Sequence, residues 1–99
     1  MADEERIVRV RIAGLVQGVG YRFWTQRAAH AHNVKGWVRN LPDGTVEALF
    51  AGSAAAVQAM CEACRHGPPE AQVTGLDVEE ADRAALLEAG GGRRCLRDF

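Results

Sequence analysis

Ile7-Val8-Arg9-Val10-Arg11-Ile12-Ala13-Gly14-Leu15-Val16-Gln17-Gly18-Val19-Gly20-Tyr21-Arg22 is the stretch from which the fold can be read. Its first six residues alternate, with Val8, Val10 and Ile12 on one side and Arg9 and Arg11 on the other, the period of a β-strand with one buried face. The glycines at 14, 18 and 20 then interrupt any regular pattern and predict a shaped loop. From about Tyr21 to His32 the period changes. Trp24, Ala28 and Ala31 recur at i, i+4 and i+7, which predicts a helix with those residues on its inner face.

The same reading extends downstream. Strands are predicted at about Val34 to Leu41 and Thr45 to Ala51, joined by Leu41-Pro42-Asp43-Gly44, whose proline and glycine positions suit a type I turn. Ser53 is placed to cap a second helix that runs to about Arg65 and stops at His66-Gly67-Pro68-Pro69. A fourth strand follows at about Ala71 to Glu80. The order β-α-β-β-α-β predicts an α+β, ferredoxin-like sandwich, with a four- to five-stranded antiparallel sheet under two helices on one face. In the tail, Asp82 to Ala89 reads as a short helix ended by Gly90-Gly91-Gly92, and Arg93 to Phe99 as a weak edge strand or irregular chain.

Bulk composition narrows the functional classes. At 99 residues, 47% hydrophobic and 25% charged, the chain fits one globular domain without a large enclosed cofactor cavity. Residues 1–6 read as a flexible arm and residues 81–99 as a less defined segment. Twelve basic against thirteen acidic side chains leave a net charge of −1. Such a balance disfavours nucleic-acid and anionic-membrane partners. The acidic N-terminus precedes no apolar stretch, so neither a secretory signal nor a transit peptide is predicted. Three cysteines, an odd number, fit a reducing compartment, and a cytoplasmic location is expected. Cys61 and Cys64 share an i, i+3, i+4, i+7 stripe with Val57 and Met60, so they read as core filling rather than as metal ligands. No metal and no cofactor are expected.

The loop from Val16 to Tyr21 and the arginine after it carry the chemistry. A helix N-terminus exposes unpaired N–H groups and partial positive charge, so Arg22 in the first turn is electrostatically misplaced unless an anion joins it. Gly18 and Gly20 let successive amides converge, and a guanidinium adds a planar fork that matches a tetrahedral phosphoryl group. By itself the motif is also compatible with a solvated arginine on a geometric glycine turn. It lacks the Lys-Ser or Lys-Thr of a P-loop and the third glycine of a dinucleotide fingerprint. Asn40, two residues before Pro42, by itself reads as a turn stabiliser.

Two ordered motifs change the weighing. Gly14-Leu15-Val16-Gln17-Gly18-Val19-Gly20-Tyr21-Arg22 resembles the first signature of the acylphosphatase family, and Gly36-Trp37-Val38-Arg39-Asn40 through Gly44-Thr45-Val46 to Gly52 resembles the second. The similarity runs from about Ile7 to Glu80. It implies the same ferredoxin-like fold and hydrolysis of an acyl phosphate to carboxylate and inorganic phosphate without metal; a monomer is expected. It also implies that Arg22 binds phosphate, that Asn40 orients the water, and that Val16, Gln17, Gly18, Val19, Gly20 and Tyr21 form the phosphate loop. Gly20-Tyr21 stands where many members have two bulky residues, which implies a looser loop. The competing reading is a non-catalytic RNA-binding or ligand-binding module of the same element order, for which Lys35-Gly36-Trp37-Val38 would be the aromatic strand. Acylphosphatase-like modules also occur within hydrogenase-maturation carbamoyltransferases; an isolated enzyme is the expectation here.

Overall fold

The computed structural model describes residues 4–86 and 97–98. Strand β1 (Glu5–Leu15) leads through the glycine loop into helix α1 (Tyr21–Ala31), then strands β2 (Lys35–Asn40) and β3 (Val46–Ser53), helix α2 (Ala54–Cys64) and strand β4 (Gln72–Glu80). A single helical turn, α3 (Arg83–Leu86), and a two-residue strand, β5 (Arg97–Asp98), complete the described elements. The antiparallel sheet has the order β4-β1-β3-β2-β5. This is the ferredoxin-like α+β arrangement that the sequence predicts.

Register sorts the side chains onto two faces, because neighbours along a strand point to opposite sides. Val8, Val10 and Ile12 pair with Phe50, Ala48 and Val46, and this set packs with Val57, Met60, Cys61 and Cys64 of α2 and Tyr21 and Ala29 of α1 into the main core. Asn40 pairs with Val46 and therefore belongs to the same, helix-bearing face. Ser53 caps α2 as expected, its Oγ accepting from the Ala56 amide at 3.1 Å.

The opposite face is also organised. Glu47 is 4% exposed, and its carboxylate accepts from Arg9 at 3.0 Å and Arg39 at 2.8 Å, with Arg11 at 3.9 Å. The Arg9 and Arg39 guanidinium groups lie 5.8 and 5.0 Å from the centre of the Trp37 ring. Trp37 Nε1 donates to the Ala85 carbonyl at 3.1 Å, so α3 covers the indole, and Ile7, Leu49 and Ala51 join it in a second small core. Strand β1 is thus covered along part of both faces, where one buried side was predicted.

Two other expectations are corrected, and the described part of the tail agrees with its reading. The inner face of α1 is Tyr21, Thr25 and Ala29, whereas Trp24 and Ala28 pack only partly and Ala31 is exposed. Thr25 can be buried because its Oγ1 donates to the Tyr21 carbonyl at 2.8 Å within the helix. Strand β1 begins at Glu5, inside the stretch expected to fray, since Glu5 and Arg6 pair with Ser53 and Gly52 and Arg6 bridges Glu80. In the tail, the helix is described only over Arg83–Leu86, and Arg97–Asp98 pair with Val38 and Trp37. Gly90 to Gly92 and Cys95 lie outside the described residues. No helix among the described residues is long and apolar enough to cross a membrane.

Burial pushes the Glu47 carboxyl up, but the hydrogen bonds from Arg39 and Arg9 and their charges outweigh it and hold the group below the ordinary glutamate range. A depressed native value contributes stability above the unfolded value, and that contribution is lost as pH falls through the native one. We therefore expect Glu47→Gln to lower the urea midpoint at pH 7, by an amount equivalent to about 2 kcal/mol. The deficit relative to wild type should shrink as pH drops below about 4. A deficit independent of pH would contradict an ionised Glu47.

Candidate active site

The loop after β1 is shaped by left-handed backbone at Gly18 (φ 77°) and Gly20 (φ 82°). A side chain at either position would meet open space, so the requirement for glycine is conformational. Gly20 is the N-cap of α1, with no side-chain cap and no acidic residue in the first turn. Helix α2, by contrast, has its serine. No backbone carbonyl among the described residues accepts from the amides of residues 17–20. The result is a concave set of donors at the positive end of a helix dipole.

Tyr21 fixes where that helix begins. Its ring is buried, its hydroxyl donates to the Cys64 carbonyl at 2.5 Å, and it packs on Trp24 at 5.4 Å between centroids. Gly67 lies so close that a Cβ there would meet the ring at 2.5 Å. Tyr21 therefore anchors the first turn of α1 to the end of α2. Burial also pushes its phenol far above the ordinary tyrosine value, so it stays protonated.

Asn40 reaches the same place from the C-terminal end of β2, at the same end of the sheet, since Ile12 and Asn40 both pair with Val46. Arg22 and Asn40, together with Val16, Gly18, Gly20, Tyr21 and Phe23, line an open recess of about 120 Å³. That is small enough to hold a tetrahedral anion and a water, and too small for a large organic group. The turn-stabilising role considered for Asn40 is filled by others: Asp43 Oδ1 accepts from the Thr45 amide at 3.0 Å and hydroxyl at 2.6 Å. The Thr45 hydroxyl and amide accordingly hold the Asp43 carboxyl below its usual range.

Two predicted loop residues do not line the recess. Gln17 turns away from it, and its Nε2 donates to the carbonyls of Leu41 at 2.7 Å and Thr45 at 2.9 Å. It ties the loop to the β2–β3 hairpin. Val19 packs against the core and faces a neighbouring groove. Phe23 was missed by the sequence reading: it lines the recess while 56% exposed. The available signal was an aromatic one residue past Arg22 and off the predicted inner face of Trp24, Ala28 and Ala31.

Other candidate chemistry finds no support. Among the described residues no group of three His, Cys, Asp or Glu side chains is placed to hold a metal. Cys61 and Cys64 are buried and unpaired, and burial pushes the Cys64 thiol up to about 12 and raises that of Cys61. Both stay protonated and inert at neutral pH. Trp37 is 1% exposed, enclosed by two guanidinium groups and α3, and so offers no stacking platform for a base.

Residues 8–88 match the acylphosphatase family model. The acylphosphatase of Rhizobium etli is 52% identical over 81 residues, covering 82% of this chain and 86% of its own length. Among solved structures, acylphosphatase from Bacillus subtilis is similar at a TM-score of 0.75 and 38% identity, over 79% of this chain and 86% of that one. The structure of T. kodakarensis HypF is similar at a TM-score of 0.69 and 31% identity, but the match covers 83% of this chain and only 10% of that one.

Gln17→Ala removes both donors of the brace and leaves the two hairpin carbonyls to solvent. A stability loss of about 1 kcal/mol is expected. Hydrogen exchange should accelerate at residues 16–20 and 41–45 and stay unchanged in α2; uniform acceleration would show that Gln17 contributes only to global stability.

Proposed function

Since the chain belongs to the acylphosphatase family, we propose that the recess shared by Arg22 and Asn40 is where the phosphoryl group of an acyl phosphate is transferred to water. The activity is that of the family, hydrolysis of the carboxyl–phosphate bond to a carboxylate and inorganic phosphate. Which residues carry it is our reading. The observation that carries this reading is the convergence of two groups from separate elements, a guanidinium and a carboxamide, on an uncapped helix N-terminus of glycine-shaped amides.

In the proposed mechanism the loop amides and the Arg22 guanidinium surround the non-bridging phosphate oxygens and stabilise charge as it spreads over them. Asn40 has no proton affinity at neutral pH, so it acts by alignment, holding the water in line with the bond that breaks. The P–O bond to the water forms as that to the carboxylate breaks. The water's proton passes to a phosphate oxygen, so a dianionic acyl phosphate and water give a carboxylate and dihydrogen phosphate. No general acid is needed, because the conjugate acid of the leaving group has a pKa of roughly 4.

The same reading covers the setting. The enzyme works as a single domain and as a monomer in the cytoplasm. Supporting this are the unpaired cysteines 61 and 64 and the scatter of large exposed apolar side chains, Leu15, Phe23 and Val78 among the described residues.

Benzoyl phosphate hydrolysis tests the roles. Arg22→Gln should abolish both turnover and competitive inhibition by inorganic phosphate, whereas Asn40→Ala should keep phosphate inhibition and lose roughly a hundredfold or more in kcat. Near wild-type turnover in either variant would remove that residue from the mechanism. Full activity is also expected after exhaustive treatment with EDTA, and recovery only on adding a divalent metal would contradict the charge-stabilisation scheme.

A further inference from the structure

The recess can take a phosphoryl group but not what is attached to it. The acyl carbonyl is bonded directly to the bridging oxygen, so the acyl group must leave through the mouth of the recess and lie on whatever adjoins it. What adjoins it is a groove of about 530 Å³, larger than the recess itself and within the size range of small-molecule sites. Gly20 and Phe23 line both, so the two spaces adjoin along a shared edge.

The walls of this groove are largely apolar. Phe23, Trp24, Arg27 and Ala28 come from one flank of α1, Val19 from the phosphate loop and Pro68 from the turn after α2. The Arg27 guanidinium lies 5.6 Å from the centre of the Phe23 ring, so the two planar groups form one wall with a cationic face. Trp24, Val19 and Ala28 are held from behind by the main core, and Pro68 is buried. A single exposed phenylalanine is ordinary on a protein surface. One that forms the common edge of a phosphoryl recess and an apolar groove is placed to meet substrate.

We propose that this groove is the acyl subsite and that it selects flat, apolar acyl groups, aromatic ones foremost, over short aliphatic ones. The ring of such a group lies against Phe23 and Arg27, with Ala28 as the floor that gives it room. This rests on the assignment of the recess as the phosphoryl site, and it names the substrate class which that site favours.

The test compares benzoyl phosphate with acetyl phosphate, taking the ratio of their kcat/KM values so that intrinsic reactivity cancels between variants. Ala28→Leu fills the floor and should lower the ratio roughly tenfold, leaving kcat/KM for acetyl phosphate and inhibition by inorganic phosphate within about twofold. Arg27→Ala, at an exposed position, should lower the ratio severalfold and serves where the core substitution unfolds the protein. An unchanged ratio in Arg27→Ala and in a folded Ala28→Leu, or an equal fall for both substrates, would overturn the subsite. Wild type that hydrolyses neither substrate would instead overturn the phosphoryl-site assignment.

Discussion

Everything at the candidate active site depends on one tie, the Gln17 carboxamide bonded to the carbonyls of Leu41 and Thr45. The glycine loop follows an inner strand, and Asn40 closes the strand on the other side of β3. Sheet register alone puts Asn40 on the helix-bearing face but does not set how far the loop stands from it. The Gln17 bonds set that distance by joining the loop directly to the hairpin that follows Asn40. Tyr21 performs the matching task from behind, fixing the start of α1 against the end of α2. A glycine-rich loop without such anchors would move freely, and a donor array that must order itself around each substrate loses much of its advantage.

The far face of the sheet shows why that platform is stiff. Glu47 sits on β3, the central strand, and draws together arginines from β1 and β2, so one carboxylate links the three inner strands. The guanidinium groups of Arg9 and Arg39 also flank Trp37, which in turn holds α3. A sheet with helices on one side only would leave β2 and the base of the Asn40 hairpin open to water on the other. Here that surface is closed by charge pairing and an indole rather than by a second layer of helices.

Much of this was legible in the sequence, for reasons that differ from residue to residue. Val8, Val10 and Ile12 announce their face by alternation, Ser53 announces its helix by capping chemistry, and the glycine run before Arg22 announces the shaped loop that borders the recess. Such signals are local. The partners of Gln17 are backbone carbonyls 24 and 28 residues away, and carbonyls carry no sequence signature. Glu47 looks like any polar residue of an alternating strand until register brings Arg9 and Arg39 to it. Thr25 carries no apolar signal, yet it lies on the inner face of α1, where a bond to the carbonyl one turn earlier satisfies its hydroxyl.

The sparseness of the proposed site fits the bond that the family hydrolyses. Hydrolysis of an ester or amide has to protonate a poor leaving group, which requires an acid of tuned pKa and a scaffold that shifts it. A carboxyl–phosphate anhydride departs as a carboxylate, so that requirement is absent. Accordingly the recess is lined by an arginine, an asparagine and glycine backbone, with Val16, Tyr21 and Phe23 as its apolar wall. What such a reaction does need is a fixed geometry of donors around a spreading negative charge, and that is a demand on folding rather than on ionisation. A domain of this size can meet it by placing one loop, one helix terminus and one strand end correctly. On the proposed mechanism, the anchoring residues Gln17 and Tyr21 therefore matter to the chemistry along with Arg22 and Asn40, the two polar side chains that line the recess.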